Sequence, residues 1–185
     1  MFYSSSFIII QVDNIICMED ILKKTYFTEK NTNKDDITYF SIDFYDDEKS
    51  LGEMNWSYSF QFGKMNKVEF YRIDNKFVLF TSALENSEIF RKILEEMCNT
   101  NIDINILKIP LNFTTDNFNL NEEAKIESFN NFGLNILLSS KDSYNMLKIF
   151  TNGLVTYSMT NDETLLKKII CLTLEILEKN LKNIE

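Results

Sequence analysis

Two stretches of this chain repeat one arrangement: strand, tight turn, strand, amphipathic helix. In the later copy, Leu147-Lys148-Ile149-Phe150 and Leu154-Val155-Thr156-Tyr157 are β-rich runs on either side of Thr151-Asn152-Gly153. An Asn-Gly step between such runs is a strong hairpin signal, because both residues tolerate positive φ. A helix then opens near Thr160-Asn161-Asp162-Glu163, with Asn161 or Asp162 as its cap and acids in its first turn, where the helix dipole favours them. Leu165, Leu166, Ile169, Ile170, Leu172, Leu174, Ile176 and Leu177 form its apolar stripe. In the earlier copy, Val68–Ile73 and Phe77–Thr81 flank Asp74-Asn75-Lys76, and a shorter helix runs from about Asn86 or Ser87 through Ile89, Phe90, Ile93, Leu94 and Met97. The offset from Asn75 to Gly153 is 78 positions. That is too long for a solenoid repeat and fits a duplicated half-domain. The expected fold is therefore α+β, with an N-terminal half at residues 1–100 and a C-terminal half at 101–185.

Composition narrows the function. A chain of 185 residues with 44% hydrophobic and 14% aromatic content can bury a core, and its sixteen Phe and eight Tyr suit sheets. The absence of His removes the usual general base, the His-activated nucleophile and His-bearing zinc sites. Cys17, Cys98 and Cys171 form no CxxC pair, so reduced, mostly buried thiols in a nuclear or cytoplasmic compartment are expected. No apolar run approaches the ~18 residues of a membrane span, and Phe7–Ile10 is too short for a secretory core. There is no Gly-rich phosphate loop and no metal-ligand cluster. Asp46-Asp47-Glu48 and Glu122-Glu123 read as solvated surface. An enzyme, a cofactor and a metal are not expected. The net charge of −9 weighs against nucleic acid as a partner, since most nucleic-acid binders are basic.

Taken in order, residues 7–16 read as a buried strand, Met18 to about Thr25 as a short helix and Thr28–Asp36 as a loop. Ile37–Tyr45 alternates as a strand, and Asp46-Asp47-Glu48 ends it. Trp56, Tyr58, Phe60 and Phe62 alternate on one face of a further strand. The second half opens with a strand at 104–113 carrying the lone proline, Pro110, which lacks a donor and so marks an edge or bulge. A short helix is expected at Leu120–Ile126 and a strand at Phe132–Leu138.

This order resembles the saddle fold of the TATA-box-binding protein family, in which a curved antiparallel sheet of two pseudo-symmetric halves carries two long helices on its convex face. Val12-Asp13-Asn14-Ile15-Ile16 is similar to the Asn-bearing first strand of that family, and Lys108-Ile109-Pro110-Leu111-Asn112 resembles its counterpart in the second half. Lys148-Ile149-Phe150-Thr151-Asn152-Gly153-Leu154-Val155 is similar to the family's L-I-F-x-S-G-K-x-V, and Phe132 stands 18 positions before Phe150, near the family's spacing. In the first half Asn55 or Trp56, and Arg72, fall near the places where phenylalanines are expected.

The resemblance implies a transcription initiation factor that binds and bends A/T-rich promoter DNA through the minor groove and recruits a TFIIB-type factor and RNA polymerase. It implies a DNA-binding set of Asn14, Trp56, Arg72, Lys76, Asn112, Phe132 and Phe150. The amides of Asn14 and Asn112 suit a groove that shows only acceptors on A·T pairs. Phe132 and Phe150 are wedge residues in this reading, and Phe150 is expected to be largely exposed. Lys64, Lys67, Arg72, Lys76, Lys141 and Lys148 are the candidate phosphate rim. Two alternatives stand beside it. One is the same fold used as a protein-interaction module without DNA bending, which the acidic balance favours. The other is an unrelated α+β binding protein of the chaperone or immunity type. Phenylalanine in a β-run is ordinarily core, and Asn at a strand end is ordinarily a backbone cap.

Overall fold

The computed structural model describes residues 3–13, 28–29, 37, 39–58, 64–109, 124–140 and 143–179. Its strands are β1 (Ser4–Val12), β2 (Thr28–Glu29), β3 (Tyr39–Phe44), β4 (Leu51–Ser57), β5 (Asn66–Ile73), β6 (Lys76–Leu79), β7 (Ile104–Ile106), β8 (Ala124–Asn130), β9 (Gly133–Ser140), β10 (Ser143–Phe150) and β11 (Leu154–Thr160). Among the described residues two helices, α1 (Asn86–Cys98) and α2 (Glu163–Lys179), follow β6 and β11. The fold is α+β: a large antiparallel sheet in the strand order β2-β3-β4-β5-β6-β1-β11-β10-β9-β8, with β7 paired to β1. Among the described residues no helix is long and apolar enough to cross a membrane.

The chain forms two compact units, one of Ile10–Asn105 and one of Met1–Ile9 with Ile106–Glu185. The expected division at residues 100 and 101 is thus shifted, and the first nine residues join the C-terminal unit. The reason lies in β1. Its first part pairs with β11, Ser4 opposite Thr160 and Ile8 opposite Leu154. Its last residue turns to the other unit, where the Val12 N–H donates to the Asn75 carbonyl (2.9 Å) and the Asn75 side-chain amide donates to the Val12 carbonyl (3.1 Å).

In the unit Ile10–Asn105, β3, β4, β5 and β6 form an antiparallel meander. Period-two alternation sends Phe40, Ile42, Met54, Trp56, Val68, Phe70, Phe77 and Leu79 to one buried face. Phe90 of α1 stacks on that face, 5.9 Å from Phe70 and 4.9 Å from Phe77 between ring centroids. Burying such a ring is worth about 1.5–3 kcal/mol. The α1 helix ends where Asn99 takes a left-handed conformation (φ 51°) and its N–H closes onto the Glu95 carbonyl. The strand expected from Trp56 onward begins earlier, at Leu51, because Gly52, Met54 and Trp56 alternate inward while Leu51, Glu53 and Asn55 alternate outward. Tyr58 has already left the strand, and residues 59–63 lie outside the described residues. The expected helix at 18–25 lies outside them too. Of the expected loop at 28–36, Thr28 and Glu29 pair with Phe40 and Tyr39.

In the C-terminal unit, β8 to β11 form a second meander whose buried face carries Leu134, Ile136, Leu138, Leu147, Ile149, Val155 and Tyr157. Helix α2 supplies the unit's other buried stripe through Leu166, Ile169, Ile170, Thr173, Ile176 and Leu177. Asp162 caps it, its carboxylate accepting the N–H groups of Thr164 (2.9 Å) and Leu165 (3.2 Å). Where a helix was expected at 120–126, the described part, Ala124–Ile126, is the start of β8: pairing with Leu138, Leu137 and Ile136 overrides a weak helical pattern. The strand expected at 104–113 is β7 alone over its first three residues, and residues 110–113 lie outside the description. Of the thiols expected to be mostly buried, Cys98 is half-buried and Cys171 is exposed on α2.

Candidate functional site

Each meander has one buried apolar face and an opposite, open face with more exposed residues, and the two open faces differ in chemistry. On the unit Ile10–Asn105, Asp43 of β3 lies opposite Glu53 of β4, and Glu53 lies opposite Glu69 of β5. Three carboxylates thus stand side by side across three strands, an arrangement that repels unless compensated. Lys67 compensates it, with Nζ 2.5 Å from Glu53 and 3.1 Å from Glu69. Asn55 donates to Glu53 at 3.0 Å, and the Tyr45 hydroxyl donates to the other Glu53 oxygen. Burial alone would raise the Glu53 pKa, but these hydrogen bonds and the Lys67 charge outweigh it and hold the carboxyl down at about 2. Burial and the bond to Glu53 push the Tyr45 hydroxyl up to about 12. This face is acidic and internally satisfied.

The open face of the C-terminal meander is the reverse. Its described residues include Lys125 and Ser128 of β8, Asn135, Leu137 and Ser139 of β9, Tyr144, Met146, Lys148 and Phe150 of β10, and Thr156 of β11. Among the described residues of these strands the carboxylate is Glu127, at a β-bulge, and it is paired with Lys125 at 2.9 Å. Lys148 stands opposite Asn135 on one side and Thr156 on the other, so it occupies the interior of the face rather than its rim. Tyr144 and Met146 are exposed, 74% and 47%, where a residue count for ordinary surface would favour charge.

The end of this face is defined by Phe132 and Phe150. Phe150 pairs with Gly133, and the Thr151 N–H donates to the Phe132 carbonyl at 3.1 Å, so two phenylalanines 18 positions apart become neighbours at the same end of β9 and β10. Phe132 is 75% exposed in the β8–β9 turn. Phe150 is half-buried rather than largely exposed, and Lys148 Nζ lies 4.6 Å from its ring centroid. The turn beyond it is a three-residue loop. Gly153 takes φ 95° and donates to the Phe150 carbonyl at 3.0 Å, while Asn152 stays at negative φ and its side-chain oxygen accepts the Leu154 N–H. Only the glycine needs the left-handed region, and the Asn is there as a local cap.

The other expected site residues are placed otherwise. Trp56 is 4% exposed in the core, opposite Phe40, because the β4 alternation that buries Met54 buries it as well. It offers no surface to a ligand. Arg72 is half-buried and spends its guanidinium on backbone carbonyls: Nε to Lys49 (3.2 Å), one terminal nitrogen to Glu48 (3.3 Å) and the other to Asp74 (3.5 Å). It clamps the Asp46–Ser50 turn, which Asp46 also closes by accepting the Ser50 and Leu51 N–H groups. Trp56 and Arg72 do not meet. Trp56 pairs with Asn66, six residues from Arg72. Lys76 is half-buried opposite Ile73 at the start of β6. Lys67 belongs to the carboxylate network, Lys64 is exposed, and Asn14, Asn112 and Lys141 lie outside the described residues.

Two groups of residues went unread in the sequence. The Tyr45–Glu53–Lys67 network was hidden because Leu51–Asn55 carries a Gly and a Glu, although its inward Gly52, Met54, Trp56 alternation is a strand signal. Tyr144, Met146 and Leu137 were hidden because a strand's outward positions carry no signal until its partner is known. Among the described residues no group of three or more His, Cys, Asp or Glu is placed to hold a metal ion. No family model, no curated protein and no solved structure matches this chain.

Proposed function

We propose that this protein binds A/T-rich double-stranded DNA through the open face of its C-terminal meander, in the manner of a divergent TATA-box-binding-protein-like initiation factor. The observation that carries the reading is that Phe150, opposite Gly133, and the exposed Phe132 of the adjoining turn lie at one end of a sheet face that bears Lys125 and Lys148 and no unpaired carboxylate among its described residues. Aromatic side chains at a sheet end suit insertion between base steps, which unstacks and kinks a duplex toward the major groove. Asn135, Thr156 and Ser128 supply neutral donors and acceptors of the kind that an A·T minor groove accommodates. A saddle with both halves on DNA, and recruitment of a TFIIB-type factor and polymerase, are further parts of the same proposal.

The contribution of the two units is unequal in this reading. The acidic residues of the Ile10–Asn105 open face repel phosphates, and the buried Trp56 and committed Arg72 leave it no wedge. Bending therefore comes from the C-terminal unit. A gel shift and bend-angle measurement on A/T-rich and G·C duplexes tests this. Preferential binding with a kink that disappears in Phe132→Ala and Phe150→Ala is expected, and absence of duplex binding at low salt overturns it.

One observation favours a second reading, a protein-interaction module. Phe132, Tyr144, Met146 and Leu137 with few charges match the composition of a protein interface core, which is depleted in charge and rich in aromatics and Met. A face that captures no duplex but whose Tyr144 and Phe132 are protected from solvent labelling by a protein partner would favour it.

A further inference from the structure

We infer that Lys148 is the specificity-determining residue of the proposed duplex-binding face, a cation stored over Phe150 in the free protein and delivered to a narrow, A·T-rich minor groove on binding. The inference rests on the proposed duplex reading and adds to it the residue that selects the sequence.

The placement of Lys148 is what a rim lysine lacks. Its strand neighbours are Asn135 on β9 and Thr156 on β11, so it springs from an interior position of the face, between two neutral side chains. A lysine at the edge of such a face meets phosphates and reads no sequence. A lysine at its centre meets the groove floor. There A·T and T·A pairs present only the acceptors A N3 and T O2, while G·C adds a donor. An ammonium has three donors and no acceptor, so it is matched by the first and opposed by the second. Narrow A-tract grooves also concentrate negative potential, which draws an inserted cation.

The contact with Phe150 is the other half of the argument. Nζ lies 4.6 Å from the ring centroid, inside the range of a cation–π contact. Such a contact at a partly exposed site is weak, so a groove with a strong field can take the ammonium from the ring. Departure of the ammonium uncovers the ring face that a wedge needs. Charge recognition and wedge exposure thereby become one step, with Lys148 and Phe150 two positions apart on the same side of β10.

The test uses the full chain with two duplex probes, one with a central A-tract and one with a G·C centre, across a range of salt. Lys148→Met removes the charge at similar length, and Lys148→Arg restores it. Lys148→Met is expected to lower the A-tract preference about tenfold and to reduce the slope of log affinity against log salt by about one, with Lys148→Arg recovering the slope. A direct reading on the unaltered protein accompanies it. Ring-current-shifted methylene resonances of Lys148 are expected in the free protein and are expected to relax when the A-tract duplex is added. If the wild type binds and bends duplex while Lys148→Met keeps both preference and slope, or the ring-current shift persists at saturation, the Lys148 inference is overturned and the duplex reading stands. If the wild type binds neither probe, both fall together.

Discussion

Phe132 and Phe150 lie at the same end of β9 and β10, yet their environments differ and truncation separates them. Phe132 is 75% exposed, so Phe132→Ala is expected to stay within about ±0.5 kcal/mol of wild-type stability. Phe150 is half-buried beneath Lys148, and Phe150→Ala is expected to cost about 0.8–1.5 kcal/mol, half of what full burial of such a ring returns. Chemical denaturation of the two variants checks the order, and a larger loss for Phe132 than for Phe150 contradicts it. Gly153 illustrates a backbone constraint at the same end of the sheet. At φ 95°, a Cβ there would stand 2.8 Å from the Leu107 carbonyl oxygen and 2.5 Å from the Ile106 side chain. Gly153→Ala is expected to destabilise by about 2 kcal/mol, more than the gain in chain entropy an alanine ordinarily brings, measured as a lowered denaturant midpoint.

The elements carry two further predictions. Asp162 caps α2 through two backbone N–H groups, and Asp162→Ala is expected to cost about 1 kcal/mol, read as a drop in thermal midpoint with the α2 end frayed in hydrogen exchange. The β3–β4–β5 face carries the pH response. Glu53 is held at about 2 against an ordinary 4.5, so its folded form binds protons less readily than its unfolded form. That contribution to stability is present above about pH 4.5 and is lost as the pH falls toward 2. Urea midpoints measured from pH 6 to pH 2 are expected to fall in that window, and Glu53→Gln is expected to flatten the fall. A profile unchanged by the substitution would show that the network contributes nothing to acid stability. Tyr45 works in the opposite range. Its hydroxyl is held up at about 12 against 10.0, so that contribution is lost as pH rises through the interval between them.

At the scale of the whole molecule, charge and chain path are uneven. The segment 10–105 contains eighteen acidic and eleven basic residues, whereas segments 1–9 and 106–185 together contain ten and eight. Most of the net charge of −9 therefore belongs to the unit whose open face is acidic, and the objection that an acidic chain cannot approach DNA applies unequally to its two parts. The chain path matters for dissection. Ser4–Ile8 pair with β11 although they are a hundred and more positions away in sequence, and Phe7, Ile8 and Ile9 are fully buried. A fragment of residues 101–185 leaves β11 without that neighbour. It is expected to show no cooperative thermal transition, while the whole chain does, and a cooperative melt of the fragment alone would refute the shared-strand account.

The hairpin-helix units were legible from local pattern, because turn chemistry, alternation and a helical apolar stripe are written in neighbouring residues. Thr151-Asn152-Gly153, the α2 cap at Asp162 and the α1 stripe through Phe90 fall where those patterns put them, and of the expected turn Asp74-Asn75-Lys76 only Lys76 moves, into β6. The α+β class and a large antiparallel sheet follow from the same signals. Other features depended on pairing between distant strands. Alternation says which residues share a face but not which face is covered, so Trp56 reads equally as wedge or core until Phe40 and Met54 are seen beside it. Arg72 reads as a phosphate ligand until the carbonyls of Glu48 and Lys49 come within reach. The row of Asp43, Glu53 and Glu69, the meeting of Phe132 with Phe150, and the shared use of β1 all arise from register, and register is set by the sum of side-chain packing across strands rather than by any one segment.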